Sequence, residues 1–124
     1  FREVPLHQQI IELGFSDFIR DAAEGYLFID VPAGDSPLGQ WQSVKNRICE
    51  FVRTIVTDRG VAPNHGWRHR FKTVGMEVGI SQRILDAIQG HSARTAGDQY
   101  GDVTLKTKAD AIAELPPYDI VPPQ

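Results

Sequence analysis

The sequence predicts a mainly α-helical chain with minor β structure at its N-terminal end. Two observations carry this. Apolar residues recur at three- and four-residue spacing in several separate stretches, and each stretch is bounded by a cap residue, a glycine or a proline. Extended patterns are confined to short segments near the start.

Taken in order, residues 2–6 (Arg-Glu-Val-Pro-Leu) read as an extended segment at a sheet edge, because Pro5 has no N–H for an inner ladder. Residues 7–13 form a short helix with Ile10, Ile11 and Leu13 inward, ended by Gly14. Ser16 caps a second helix over 17–23, residues 26–30 are strand or extended loop, and the prolines and Gly34 make 31–38 a loop. Residues 39–58 give the clearest helix, with Trp41, Val44, Ile48, Phe51, Val52 and Ile55 on one stripe and Lys45, Arg47 and Arg53 off it. Cys49 lies in this pattern as a small core residue.

After Pro63, with Asn64 as cap, a further helix places Trp67, Phe71, Val74 and Val78 inward and His65, Arg68 and Lys72 on an adjacent face. Ser81 caps a helix running to Gln89, with Ile84, Leu85 and Ile88 inward and Gly90 as its stop. One or two turns are expected over 95–100. Thr104 caps a last helix with Leu105, Ala109 and Ile112 on one face, closed by Pro116-Pro117, and a proline-rich tail covers 116–124.

A chain of 124 residues suits one domain or a large piece of one. It has a single cysteine and so no internal disulfide, which fits a reducing, cytoplasmic setting. No stretch has the roughly 20 apolar residues of a membrane span, and no signal pattern opens the chain. The net charge of −3 is unevenly spread: residues 1–40 carry −5, residues 41–72 carry +5 and residues 73–124 carry −3. A local basic block of this kind suits either a solvated helix face or contact with phosphate.

Three pieces of sequence carry chemistry when taken together. They are His65-Gly66-Trp67-Arg68, then Gly90-His91, then Tyr100 nine residues further on. A histidine, an arginine or a tyrosine alone reads as surface or packing. Their order and spacing, in HGWRHRF, IQGHS and QYGDV, resemble the tyrosine site-specific recombinases of the phage-integrase type. Residues 2–7 also resemble the segment that follows that family's β-hairpin, a basic residue before Val-Pro-Leu.

The resemblance implies the C-terminal helical portion of the recombinase catalytic fold over residues 1–115. It implies DNA strand transfer by transesterification, in which a tyrosine hydroxyl attacks a phosphodiester, a 3′-phosphotyrosine forms and a 5′-hydroxyl leaves. Tyr100 is then the nucleophile and Arg68 the second of two catalytic arginines, whose planar fork grips two phosphate oxygens. His65 moves the proton near Tyr100, and His91 donates a hydrogen bond to the phosphate. No cofactor or metal is implied, because arginines and histidines supply the positive charge.

Arg70 and Lys72 depart from the small or apolar residues common at their positions and are candidate DNA-phosphate contacts. Trp67 replaces a usual Leu and is expected in the core, and His69 has a packing role. The implied partners are double-stranded DNA and other copies of the chain, and the last helix is expected to dock in a groove, either in cis or by exchange between chains. The family's first catalytic arginine and its hairpin lysine have no counterpart in this sequence, so the chain is expected to hold about half an active site and to be inactive alone.

Other readings stand beside this one. A non-catalytic DNA-binding module would use the helices at 39–58 and 65–78, although their connection fits a helix-turn-helix poorly. A zinc hydrolase would place a Glu after His65, where Gly66 stands. An interaction module would dock through the tail.

Overall fold

In a computed structural model, the described residues are 2–91 and 101–120. They contain α1 (Gln8–Glu12), α2 (Phe15–Asp21), α3 (Leu38–Ile55), α4 (Pro63–Glu77), α5 (Gln82–Gln89) and α6 (Leu105–Ala113). Among the described residues there is no strand, so the mainly α expectation holds and the minor β does not. Residues 2–6 join no strand, and residues 26–30 are loop with a bend at 27–28, the second of the two forms expected for them. The turns expected over 95–100 lie outside the described residues.

The chain divides into two compact units, one made of Phe1–Phe15 and Phe71–Gln124, the other of Ser16–Arg70. The first unit has the denser core. Ile80, Leu85, Ile88, Ala111 and Ile112 are buried together, with Phe71, Ile84 and Leu115 packed against them. Leu85 is fully buried. It fits because α4 carries Gly75 where a side chain would otherwise stand: a methyl there would overlap the Leu85 isobutyl group, with Cδ1 at 3.1 Å and Cγ at 3.3 Å.

Helix α4 ends in a left-handed glycine turn. Gly79 has φ +87°, the Gly79 amide donates to the Met76 carbonyl at 3.0 Å, and the Ile80 amide donates back to the Gly75 carbonyl at 2.8 Å. This is a Schellman motif, and the buried Ile80 supplies its apolar contact. Helix α5 then starts at the expected N-cap, Ser81, although the hydroxyl makes no capping bond.

Helix α6 is capped by Thr104, whose Oγ1 accepts from the Thr107 amide at 3.1 Å. Its buried face is Ala111 and Ile112, with Leu115 beside the core. Of the expected face Ile112 is buried, whereas Leu105 is 49% exposed and Ala109 is also exposed. The tail returns to the N-terminal segment. Gln9 donates its amide to the Tyr118 carbonyl at 2.6 Å and accepts the Tyr118 N–H at 2.8 Å. The His7 ring accepts the Gln9 amide at Nδ1, 3.1 Å, so its proton is on Nε2, which donates to the Leu115 carbonyl at 3.0 Å. This holds the C-terminal segment in cis.

Helix α1 follows the expected span but buries nothing: Ile10, Ile11 and Leu13 are all exposed. A five-residue helix turns only once and can cover little. Helix α2 begins at Phe15, so Ser16 lies inside it rather than capping it.

In the second unit, α3 ends at Ile55 rather than Asp58 because Arg53 closes the turn beyond it, donating to the Asp58 carbonyl and the Val61 carbonyl at 2.7 Å each. Asn64 is not a cap: α4 starts at Pro63, whose fixed φ suits a first turn. The Asn64 amide donates instead to the Lys45 carbonyl, 3.2 Å, joining α4 to α3. The α3 stripe is largely unburied. Val52 is its buried member, while Trp41, Ile48, Phe51 and Ile55 are exposed. Trp67, expected in the core, is 56% exposed. The periodicity marks which face is apolar; residues 16–70 supply no second layer to cover it. Cys49 is half-buried.

Gly75→Ala tests the close approach at Leu85. An alanine inside a helix normally stabilises by about 1 kcal/mol relative to glycine. Here the enclosed Leu85 cannot move aside, so the expected outcome is a loss of about 1–3 kcal/mol in urea unfolding. Leu85→Ala is expected to cost about 2–5 kcal/mol.

Candidate active site

His65 and Arg68 stand on α4 three residues apart and belong to the unit of residues 16–70. This spacing puts them on one helical face. His65 is exposed and Arg68 half-buried. The His65 ring meets the ring of His69, itself exposed, edge-on, with centroids 4.7 Å apart. Among the described residues no group of three or more His, Cys, Asp or Glu side chains gathers as a metal site. Arg70 is exposed on the same helix.

His91 belongs to the other unit, directly after α5. Its position is tightly specified. Gly90 is left-handed, with φ +72° and ψ +36°, and its amide donates to the Asp86 carbonyl. The His91 amide donates to the same carbonyl at 2.9 Å. Glycine suits this conformation because it has no Cβ to strain. The Arg2 guanidinium lies across the turn and donates to the Gln89 carbonyl at 2.7 Å; a side chain at position 90 would collide with it.

The side chain of His91 is held as well. Its Nδ1 is 2.8 Å from Asp86 Oδ1, and the Lys72 ammonium bonds the same oxygen. The Lys72 and Asp86 side chains are only 19% and 17% exposed, so this pair is shielded better than an ordinary surface ion pair. Partial burial works to raise the Asp86 pKa. Hydrogen bonds from Lys72 and His91, together with their charges, outweigh it and hold the carboxyl below its ordinary value. Lys72, expected as a phosphate contact, thus has its ammonium on Asp86.

The sequence reading missed Asp86. A signal was present: an acid in the last turn of a helix opposes the macrodipole, so its placement there calls for a local partner. Tyr100 lies outside the described residues.

A lowered pKa makes the Asp86 contribution pH-dependent in a defined sense. It is complete above the unfolded-state value near pH 4 and lost as pH falls through the lower folded value. Asp86→Asn is therefore expected to lower the melting temperature at neutral pH, and the gap from wild type should close below about pH 4. A gap independent of pH in thermal scans across this range would contradict the assignment. In comparisons with known proteins, no family model, no curated protein and no solved structure matches the chain.

Proposed function

We propose that the chain is the C-terminal part of the catalytic domain of a tyrosine site-specific recombinase, and that the full-length enzyme cuts and rejoins DNA through a phosphotyrosine at Tyr100. The observation that carries this reading is the ordered set His65-x-x-Arg68, Gly90-His91 and Tyr100. Two structural features support it. His65 and Arg68 share a helical face, and His91 is fixed in place by a left-handed glycine turn and an ionised carboxylate.

In this mechanism the Tyr100 oxygen attacks phosphorus as its proton passes to His65. Arg68 and His91 donate to the non-bridging oxygens, where charge builds in the pentavalent transition state. The 5′-oxygen leaves with a proton and later attacks in reverse. The first arginine and the lysine that protonates the leaving oxygen come from residues outside this sequence. Double-stranded DNA is the substrate. The C-terminal helix α6 and its tail, which here dock in cis, are the element proposed to exchange between copies.

A second reading, a non-catalytic DNA-binding or interaction module, is favoured by the apolar face of α3, where Trp41, Ile48, Phe51 and Ile55 are exposed. Covalent chemistry separates the two readings.

In the full-length enzyme, Tyr100→Phe is expected to abolish the covalent protein–DNA band on a suicide substrate while leaving DNA binding near normal. Arg68→Ala should slow cleavage by about 10²–10³-fold. An adduct that persists in the Phe variant would move the nucleophile elsewhere, with Tyr118 next in line. The 124-residue chain alone is expected to form no adduct with a nicked attachment-site duplex and to bind DNA weakly, with strong salt sensitivity. A Tyr100-dependent band from it would overturn the division of the active site.

A further inference from the structure

The end of α5 differs from the end of α4 in one respect. Both helices close with a left-handed glycine and an amide that reaches back five residues to a carbonyl, Ile80 to Gly75 and His91 to Asp86. At α4 the residue after the glycine is a buried isoleucine, the usual apolar partner of this motif. At α5 it is His91, and a hydrogen bond to the Asp86 carboxylate takes the place of the apolar contact. Asp86 thus holds His91 at two points: its carbonyl takes the backbone N–H and its carboxylate takes ring Nδ1. The Lys72 ammonium on the same Oδ1 fixes the carboxylate in turn.

We propose that Asp86 is a positioning residue that fixes the tautomer and orientation of His91, making Nε2 the nitrogen that acts on substrate. The step from structure to tautomer is short. An ionised carboxylate only accepts hydrogen bonds, so the nitrogen 2.8 Å from Asp86 carries a proton. A neutral His91 is therefore the Nδ1–H form, with its lone pair on Nε2. When the ring holds both protons, Nε2–H becomes a donor and Asp86 balances the charge. The Asp–His pair of serine-protease triads works by the same logic. The catalytic half of this inference rests on the recombinase reading above: a His91 that donates to a scissile phosphate does so from Nε2, as the imidazolium paired with Asp86. The tautomer half is independent of that reading.

The test has two arms. In the first, long-range proton–nitrogen NMR on the ¹⁵N-labelled chain, at a pH where the rings are neutral, reads each histidine's tautomer, with His91 identified by its loss in His91→Gln. Wild-type His91 is expected as Nδ1–H. His7 serves as an internal contrast because its bonds fix the Nε2–H form. Asp86→Asn, whose amide can donate, should move His91 toward Nε2–H, and Asp86→Glu should retain Nδ1–H. A wild-type His91 in the Nε2–H form overturns the proposal without need of any variant, and so does an unchanged tautomer in a folded Asp86→Asn protein.

In the second arm, the full-length enzyme carrying Asp86→Asn should cleave a suicide substrate about 10–10²-fold more slowly, with unchanged DNA affinity and partial recovery in Asp86→Glu. Equal cleavage in wild type and Asp86→Asn removes the catalytic role of Asp86. If wild type forms no Tyr100 adduct at all, the recombinase reading fails, while the NMR arm still decides whether Asp86 sets the His91 tautomer.

Discussion

The close approach of α4 and α5 at Gly75 governs the geometry around His91. Leu85 occupies the space that any side chain at position 75 would need, so the two helices pack closely enough for Lys72, one turn earlier on α4, to reach Asp86, one residue beyond Leu85. The apolar contact and the ion pair are therefore two consequences of one helix spacing. A larger residue at 75 would strain the core and also part the cation from the carboxylate. Dense packing transmits such shifts because interiors have little free volume to absorb them.

The ion pair has a defined role within that spacing. A half-buried carboxylate without partners would be costly, and an acid at a helix C-terminus faces an unfavourable dipole. Lys72 and His91 offset both effects and leave Asp86 ionised. Removing either partner would leave the other to carry the whole interaction. Gly90 completes the arrangement, because only a left-handed residue there turns His91 back over the last turn of α5, where the Asp86 carboxylate can meet it.

Local structure is legible in the sequence where one residue determines the backbone. Gly79 and Gly90 stop their helices, and Thr104 and Ser81 stand at N-caps. Burial was legible only where a partner layer exists. The stripe Ile84, Leu85 and Ile88 packs as expected because α6 lies against α5. The equally regular stripe on α3 stays exposed apart from Val52 and the half-buried Val44, since periodicity shows which face is apolar and not what covers it. Asn64, expected as a cap, instead bonds a carbonyl of the neighbouring helix, and such a tertiary bond has no signature in sequence spacing. Within the candidate site the histidines and Arg68 stood out by motif, whereas Asp86 and Lys72, 14 residues apart, are joined only by the packing of two helices.

The same bonds change how the basic block of residues 41–72 should be read. Its charge of +5 comes from seven cations and two acids, which by count alone suggests broad phosphate contact. Arg53, however, donates to two backbone carbonyls that close the turn between α3 and α4. Lys72 sits on Asp86, an acid outside the block, which cancels its charge locally. Lys45, Arg47, Arg59 and Arg70 are exposed and Arg68 is half-buried, and Arg68 and Arg70 make interactions of their own. Counterion release scales with the phosphates actually neutralised, at a slope of about 0.9 per contact on duplex DNA. On the DNA-binding reading proposed above, phosphate contact would fall to exposed cations rather than to Arg53, which closes the turn beyond α3, or to Lys72, which is held on Asp86.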